Sequence, residues 1–359
     1  MTHLERFRKA FEKSEFDAVV ISSEVNQRWI TGFSYQDGLA VITRRRAALL
    51  TDFRYIEAAK ASPAAKEFEI LMPASRMSKA AYEIIREDGA KRIALEEATL
   101  PMSGAEEFGE AFEGCMVSGG ASKLIDTLRE FKDEYEIQSM IEAQAITDKA
   151  FSHIVDWIRP DMTEKQVALE LEFFMRANGA EAAAFETIAV SGSASSRPHG
   201  VPRDTVLEKG FLTMDFGARI NGYDSDMTRT VVIGKADDEM KKLYNTVLLA
   251  QTSVLDVIGP GKMNRRMHMI ADQIINEAGY AGCFGHGLGH GVGMYIHEAP
   301  NMSPKAALSR TLQPGQVVTV EPGIYIEGKY GCRIEDMIVI KEDGYYDFTH
   351  SPKELIEIK

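Results

Sequence analysis

The chain has 359 residues, more than one hydrophobic core usually organises, so two domains are expected. Its 41 Lys and Arg against 54 Asp and Glu give a formal net charge of −13, which repels nucleic acid and anionic membrane surfaces. The first residues lack the apolar core of a signal peptide, and no stretch reaches the roughly 20 apolar residues of a membrane span. We therefore expect a cytoplasmic protein that binds neither nucleic acid nor membranes.

The first third of the chain alternates short apolar strands with polar or amphipathic stretches. The predicted strands cover residues 17–23, 39–43, 47–52 and 92–96. This alternation is typical of a small α/β domain. The pattern changes around the sequence SGGAS, so we place the domain boundary between residues 122 and 123.

The second part begins with helices and continues with strands and turns. A long helical region is predicted over residues 122–159, ended by Pro160, and a second helix over 163–178, ended by Asn178 and Gly179. Strands follow from residue 185, interrupted by helices at 237–257 and 263–278. The three cysteines show no CxxC spacing, which argues against a disulfide framework or a thiolate zinc site.

The sequence DFGARINGYDSDMTRT contains the pair Asn221-Gly222, a strong signal for a two-residue hairpin turn. Counting outward from this turn places Gly217 opposite Asp226. Asp215 shares a face with Gly217, because side chains two apart on a strand point the same way. The two carboxylates are then diagonal neighbours, roughly 7–8 Å apart, a separation that metal ions can bridge. Gly217 is expected to leave room between them.

Solvated hairpin residues are the alternative interpretation of these two acids. Asp215, however, interrupts an apolar strand, and an unpaired buried carboxylate is costly unless a cation or donors compensate it. Asp226 is followed by Thr228, Arg229 and Thr230, which are candidate donors behind a metal site. The hairpin alone does not decide between the two interpretations.

The sequence GHGLGHGVGMYIHE places four glycines around His286 and His290, with His297 close behind. It lacks the third glycine of a dinucleotide loop, the Gly-Lys-Ser/Thr of a P-loop and the glutamate of a zincin helix. We interpret it as a loop whose backbone approaches something closely while it presents imidazoles. Structural, hydrogen-bonded histidines are the alternative.

Two glutamates stand in apolar surroundings further along the chain. Glu321 follows an apolar run and precedes Pro322-Gly323, and Glu335 is predicted to lie within a strand rich in Ile and Val. Each is also compatible with an exposed strand edge. Together with the hairpin acids and one imidazole, they form an oxygen-rich ligand set that suits Mn²⁺, Zn²⁺, Fe²⁺ or Co²⁺. Two such ions would neutralise four carboxylates and activate a water.

The ordered segments DFGA, NGYDSDMTRT, GHGLGHGVG, HE, TVEPG and RIED resemble the pita-bread metallopeptidases, which include methionine aminopeptidase, prolidase and aminopeptidase P. The segments AFETIAVSGSASSRPHGVP, NQRWITGFSYQDG and LLTDFRY resemble the proline-specific branch and its extra domain. The resemblance covers nearly the whole chain. It implies an α+β fold: an amino-terminal α/β domain over residues 1–122, then a catalytic domain over 123–359 in which helices cover a curved antiparallel sheet.

The resemblance implies that Asp215 binds one metal ion, that His290 and Glu321 bind the other, and that Asp226 and Glu335 bridge them. The family mechanism uses a hydroxide held between the metals, with Glu321 taking and returning its proton. We therefore expect two divalent ions per subunit, manganese first and cobalt, zinc or iron as alternatives.

The resemblance also implies that His199 and His297 hold the carbonyl oxygen or the tetrahedral intermediate. His286 and Arg333 align with a further active-site histidine and arginine, whose roles the resemblance leaves open. The implied substrates are peptides or dipeptides with proline in the second position, and the implied assembly is a homodimer.

One departure bears on the length of the substrate. Many prolidase-like members carry an arginine soon after the His-Glu pair, where this chain has Asn301. Asparagine does not reproduce a bidentate, charge-assisted clamp on a carboxylate, although another cation could serve. The sequence therefore favours an Xaa-Pro aminopeptidase over a strict Xaa-Pro dipeptidase. A catalytically inactive binding module and a metal-free hydrolase resembling creatinase are disfavoured, because all five ligands are present.

Overall fold

The computed structural model describes residues Met1–Lys359, which separate into two units, Met1–Arg129 and Glu130–Lys359. The elements of the first unit are α1 (His3–Phe11), β1 (Ala18–Ile21), α2 (Glu24–Thr31), β2 (Leu39–Thr43), β3 (Ala47–Leu50), α3 (Ile56–Ala61), β4 (Glu69–Leu71), α4 (Met77–Glu87), β5 (Arg92–Leu95), α5 (Met102–Ala111), β6 (Met116–Gly119) and α6 (Ala121–Arg129). The alternation of strands and helices predicted for this part is confirmed.

The first unit is built on one six-stranded sheet with the order β4-β3-β2-β1-β5-β6. The β1–β2 and β2–β3 pairs are antiparallel, and the other three pairs are parallel. Strands β1, β2 and β3 are buried along their whole length, which explains why their sequences are apolar throughout rather than alternating. The four strands predicted from the sequence all belong to this sheet.

The second unit contains four helices and fourteen strands. They are α7 (Glu134–Trp157), α8 (Glu164–Ala177), β7 (Ala182–Ala183), β8 (Ile188–Ser191), β9 (Gly210–Phe216), β10 (Ala218–Ile220), β11 (Tyr223–Asp224), β12 (Met227–Ile233), α9 (Asp238–Leu255), α10 (Asn264–Ile275), β13 (Gly289–Gly291), β14 (Glu298–Met302), β15 (Val317–Val320), β16 (Gly323–Ile326), β17 (Tyr330–Arg333), β18 (Asp336–Lys341), β19 (Gly344–Asp347) and β20 (Glu357–Ile358).

These strands form mainly antiparallel sheets, and helices cover them. One sheet has the order β20-β12-β9-β8 and another the order β14-β13-β15-β18-β19. Helices α7 and α8 share a buried core with β9 and β12, whereas α9 and α10 share one with β15 and β18. The predicted α+β class, with antiparallel sheet covered by helices, is confirmed. None of the helices combines the length and apolarity needed to cross a membrane.

The long helical region predicted over residues 122–159 is wrong in one respect, because it is two helices. Asp133 is the N-cap of α7: its side chain accepts a hydrogen bond from the Glu136 amide, and the Glu136 carboxylate accepts one from the Asp133 amide. This capping box starts a new helix inside the charged stretch. Thr163 and Gln166 cap α8 in the same way, as the predicted helix over 163–178 requires.

The division between the units falls after Arg129, at the end of α6. The compositional change at SGGAS overlaps the first two residues of this helix, which belongs to the first unit. The domain boundary between residues 122 and 123 stays a prediction.

The hairpin register counted from the sequence is confirmed. Asn221 and Gly222 both have positive φ, as a type I′ turn needs. Ile220 pairs with Tyr223 next to the turn, and Asp215 pairs with Thr228 further away from it. Both pairs follow the same register, so no bulge interrupts the hairpin between them.

The expectation that Gly217 leaves room between the two carboxylates was wrong. Its missing side chain leaves room for the hairpin backbone rather than for a ligand. A Cβ there would collide with the carbonyl oxygen of Ser225 and lie 3.2 Å from the Cβ of Ala184.

A buried ion pair ties β12 to β18. The Arg229 side chain is 1% exposed and donates to Asp336 Oδ1 at 2.8 Å, to the carbonyl oxygen of Glu335 at 2.6 Å and to that of Ser351 at 2.9 Å. Lys353 also contacts Asp336. Arg229 thus points away from the metal-ligand face on which Thr228 lies, and it fixes the backbone at Glu335.

We predict that Arg229→Ala lowers the free energy of unfolding by about 3–5 kcal/mol, because it leaves Asp336 buried with only part of its compensation. Urea unfolding followed by circular dichroism measures the change. Arg159→Ala is the matched control, since Arg159 forms an exposed pair with Asp161 at 3.8 Å and its loss is expected to cost less than about 1 kcal/mol. Equal shifts for the two variants would contradict the prediction.

Candidate metal centre and active site

A cavity of about 750 Å³ opens in the second unit where the strands carrying the predicted residues meet. Every residue predicted for the site lines it, namely His199, Asp215, Asp226, His286, His290, His297, Glu321, Arg333 and Glu335. These side chains come from segments spread over residues 199–335. The structure therefore brings the whole predicted set to one place.

The centre of the cluster is formed by Asp226, His290 and Glu335. One ligand atom from each lies within 4.8 Å of the others. His290 Nε2 is 3.6 Å from Asp226 Oδ2 and 3.4 Å from Glu321 Oε1. These atoms are too far apart for strong direct hydrogen bonds, and they face a common point.

Backbone contacts fix the orientation of His290. It lies on β13, and its Nδ1 is 3.1 Å from the carbonyl oxygen of Gly291. A proton on Nδ1 satisfies that carbonyl and leaves the Nε2 lone pair directed at the carboxylates, which is the tautomer of a metal-binding imidazole. Thr319 accepts the His290 amide at 3.2 Å and donates to Glu321 Oε1 at 3.2 Å, so one hydroxyl aligns both candidate ligands.

Arg333 is the cation of the cluster. Its side chain is 4% exposed and donates to Asp215 Oδ2 at 2.6 Å, to the Thr228 hydroxyl at 2.9 Å and to the Tyr325 hydroxyl at 2.7 Å. The Thr228 hydroxyl in turn donates to Glu335 Oε2 at 2.7 Å. Arg333 therefore orients one candidate ligand directly and another through Thr228.

The remaining predicted histidines lie around this cluster. His286 has its Nε2 3.0 Å from the Tyr325 hydroxyl and its Nδ1 2.8 Å from the carbonyl oxygen of Gly287. The His297 ring packs edge-on against the ring of His290, with 4.4 Å between centroids. His199 is exposed at the cavity wall. His199 and His297 are thus the imidazoles most open to a bound molecule.

A second buried ion pair holds the turn that carries His297. Lys132, 1% exposed, donates to Glu298 Oε2 at 3.2 Å, and the amide of Tyr295 donates to Glu298 Oε1 at 2.9 Å. Glu298 therefore stabilises the turn through buried contacts. The sequence interpretation did not single out Lys132, because nothing local relates it to a residue so far along the chain.

Burial and mutual repulsion dominate the electrostatics. Burial, together with the charges of neighbouring carboxylates, raises the pKa of Asp226 and of Glu335 well above their usual values. Burial also raises the pKa of Glu321 to about 8. Burial and the neighbouring His297 lower the pKa of His290 to about 4, and burial and Arg333 lower that of His286 to about 4. The site therefore disfavours carboxylate charge on Asp226, Glu321 and Glu335 and keeps the imidazoles of His286 and His290 neutral.

The donor set fits divalent metal ions. Asp215 Oδ1 is buried without a hydrogen-bond partner, an arrangement that costs free energy unless a cation compensates it. His290 offers a free Nε2 lone pair at the same place. Four carboxylates and one neutral imidazole suit hard or borderline divalent cations.

Two local expectations were wrong. Glu335 lies outside any strand, between β17 and β18, where its amide donates to the Thr228 carbonyl oxygen at 3.1 Å. His290 lies on a strand rather than a loop. Its neighbour Gly289 is required because a Cβ there would collide with the backbone of Thr319, so the close approach is to strand β15 and not to a ligand.

The sequence interpretation also missed Thr319 and Tyr325. The Thr319 hydroxyl connects His290 with Glu321, and the Tyr325 hydroxyl connects His286 with Arg333. Both stand in the segment TVEPGIY beside Glu321. The available signal for Thr319 was its spacing, because a residue two positions before Glu321 on a strand lies on the same face as that candidate ligand.

Two family profiles and many known proteins match this chain. The profile of the Creatinase/Prolidase N-terminal domain matches residues 3–131, and that of metallopeptidase family M24 matches residues 138–342. The Xaa-Pro dipeptidase of Pyrococcus furiosus is 35% identical over 98% of this chain and 99% of its own.

Two solved structures superpose over nearly the full length. The Xaa-Pro dipeptidase from Bacillus anthracis has 40% identity and a TM-score of 0.94, covering 99% of both chains. The X-Pro aminopeptidase from Thermotoga maritima has 35% identity and a TM-score of 0.91, covering 98% of this chain and 100% of its own. The resemblance found in the sequence motifs is thereby confirmed. The chain belongs to metallopeptidase family M24, and its amino-terminal part is a creatinase/prolidase N-terminal domain.

Proposed function

We propose that the protein is a metal-dependent exopeptidase that hydrolyses the bond between an amino-terminal residue and proline. The observation that carries the proposal is the convergence of Asp226, His290 and Glu335, with ligand atoms within 4.8 Å, in a cavity large enough for a small peptide. The similar proteins named Xaa-Pro dipeptidase and X-Pro aminopeptidase support proline as the second residue.

Two divalent ions fit the proposal, and Asp215, Asp226, His290, Glu321 and Glu335 would hold them. When bound, such ions polarise a carbonyl group and lower the pKa of a water molecule. The oxygen-rich set favours manganese, with cobalt, zinc and iron as alternatives.

The chain's own groups supply the proton transfer and the positioning. Glu321 lies beside His290 and faces the cavity, so its carboxylate is placed to take a proton from the attacking water and return it to the leaving nitrogen. His297 and His199 offer N–H donors for the oxygen on which negative charge develops. Arg333 and Tyr325 hold the cluster in place rather than react.

The cavity lining also includes apolar side chains, those of Phe185, Ile188, Val201 and Ile296. A proline ring is apolar and lacks an amide N–H once it is in a peptide bond, so it leaves no donor unsatisfied against such side chains. This part of the lining therefore suits the ring of a proline in the second position.

Dipeptides and longer peptides differ in the group at the carboxyl side of proline, which is a free carboxylate in a dipeptide and an amide in a longer peptide. Asn301 lines the cavity and carries no charge, which favours an aminopeptidase that accepts longer peptides. The similar proteins carry both names. A homodimer in the cytoplasm stays a prediction that rests on the sequence resemblance and composition.

A hydrolysis panel tests the proposal. With added Mn²⁺ we expect cleavage of Ala-Pro, of Ala-Pro-Ala or of both, and no cleavage of Ala-Ala-Ala, because the cavity is expected to select proline. Chelation should abolish the activity and Mn²⁺ should restore it. Chromatography of the products provides the measurement. Equal cleavage of Ala-Ala-Ala would refute proline specificity, and activity that survives complete metal removal would refute the metal dependence.

Asp226→Asn should remove metal binding and lower kcat/KM at least about 100-fold, since it deletes an anionic ligand at the centre of the cluster. Metal content after dialysis and steady-state kinetics measure the two effects. Asp224→Asn is the matched control on the same hairpin. Asp224 is buried and pairs with Arg219 at 2.6 Å outside the cavity, so its loss should reduce stability but leave the metal content intact. Metal retained by Asp226→Asn would contradict the assignment.

Metal-free protein should become less stable as pH rises. The pKa of Glu321 is raised from 4.5 to about 8, so between these values the folded state holds a proton that the unfolded state releases. Stability therefore falls across this window, by up to roughly 1.4 kcal/mol per pH unit for one such group. Urea midpoints of chelated protein at pH 6, 7 and 8 measure the trend. Glu321→Gln should reduce the slope and leave the part that Asp226 and Glu335 contribute, because the pKa values of these two groups are also raised. A midpoint that rises with pH would contradict the expectation.

A further inference from the structure

The segment between β8 and β9 carries part of the cavity wall. Residues 198–202 of this segment line the cavity, and His199 is among them. His199 is exposed, and its imidazole makes no hydrogen bond within the chain. The backbone of the segment therefore decides where that imidazole lies.

Both ends of this segment are bonded to one buried carboxylate, that of Glu164. Glu164 stands in the first turn of α8, and its side chain is 0% exposed. Its Oε1 accepts hydrogen bonds from the amide of Ser191 at 2.7 Å and from the Ser191 hydroxyl at 2.8 Å. Its Oε2 accepts from the amide of Arg203 at 3.0 Å and from Arg203 Nε at 2.8 Å. Residues 192–202 therefore form a loop that Glu164 closes at its base.

The pair formed by Glu164 and Arg203 is bidentate. Arg203 Nη2 donates to Glu164 Oε1 at 2.6 Å, so the guanidinium group contacts both carboxylate oxygens. A charge-assisted pair of this kind fixes orientation as well as distance. Because Glu164 is fully buried, water cannot easily replace its oxygens, and donors at the base of the loop would lose their acceptor with it.

The Glu164 side chain is not needed to start the helix on which it stands. Thr163 and Gln166 form the capping box of α8 without it. The hydrogen bonds of the Glu164 carboxylate are all made to Ser191 and Arg203. The side chain therefore serves the loop and not the helix.

A second attachment holds the loop along its side, against the strand β17 that ends at Arg333. The Gly331 amide donates to the Ser195 hydroxyl at 2.9 Å, and Arg333 Nη1 donates to the carbonyl oxygen of Pro198 at 3.4 Å. His199 directly follows this second contact. The loop is thus fixed at its base and along one side, and its exposed imidazole follows the backbone.

We propose that Glu164 is a positioning residue: together with Arg203 it closes the loop of residues 192–202 and so sets the place of the His199 imidazole in the cavity. The inference rests on the proposed exopeptidase function and extends it to a residue that does not line the cavity. Glu164 touches no substrate and acts on the reaction through His199.

A double-mutant cycle tests the inference, with Glu164→Gln made in wild type and in the His199→Ala background. The substitution keeps the shape of Glu164 but replaces one acceptor oxygen by an NH₂ group. We expect it to lower kcat of wild type at least about tenfold, because a small displacement of a catalytic group is costly. In the His199→Ala background the same substitution should lower kcat less than about twofold, because the group that it displaces is already absent.

Steady-state kinetics with Mn²⁺ on Ala-Pro and Ala-Pro-Ala measure the cycle. His297 stays in place as a second donor, so the His199→Ala background is expected to keep measurable turnover. KM should change less than about threefold, because Phe185, Ile188 and Ile296 of the apolar lining lie outside the loop. The Mn²⁺ content should equal that of wild type, because the loop carries no candidate metal ligand.

Asp224→Asn is the matched control. Asp224 is 0% exposed and pairs with Arg219, which is 33% exposed, much as Glu164 pairs with Arg203, which is 34% exposed. Its loss should change kcat by the same factor with and without His199, because the pair does not close the loop. Arg203→Gln repeats the cycle from the partly exposed side of the pair, in case Glu164→Gln fails to fold by circular dichroism.

Equal losses of kcat in the two backgrounds would overturn the role of Glu164 and leave the exopeptidase function standing. Full activity of a folded Glu164→Gln protein, or a loss that follows lost Mn²⁺, would overturn it as well. If wild type cleaves neither substrate with Mn²⁺, the proposed function itself falls and the inference falls with it.

Discussion

The repulsion among four carboxylates gathered in one cavity is the constraint on which the second unit depends. Asp215, Asp226, Glu321 and Glu335 are largely buried, and the cation that contacts them is Arg333, through Asp215. Such a cluster costs free energy unless protons or cations neutralise it. The same side chains that destabilise the folded protein in the absence of cations therefore give it affinity for cations.

Holding such a cluster requires a rigid frame behind it. Strand alternation places Thr228 toward the cavity and Arg229 away from it. Thr228 donates to the Glu335 carboxylate, while Arg229 donates to the Glu335 carbonyl oxygen from the opposite side. One strand thus fixes both the side chain and the backbone of a candidate bridging ligand. This double attachment compensates for the position of Glu335 outside a regular strand.

The parts of this site that the sequence predicts are those governed by local geometry. The turn at Asn221-Gly222 sets the hairpin register, and from it the position of Asp215 relative to Asp226 follows by counting. Contacts between distant segments are not accessible in this way. No local pattern links Lys132 to Glu298, or shows that the glycine beside His290 is demanded by the backbone of a strand that lies later in the chain. The composition of a segment also does not reveal where a helix is capped. The start of α7 at the N-cap Asp133, inside a uniformly charged stretch, is an example.

Catalytic chemistry and substrate choice rest on different parts of the second unit. The candidate ligands stand on or beside paired strands, where hydrogen bonds on several sides limit their movement. Val201 of the cavity wall stands on an irregular segment and is exposed. Because loops tolerate substitution better than paired strands do, relatives with one metal centre can differ in the substrates that they accept. The length of the substrate is then a property of the cavity wall, and the fold alone does not determine it.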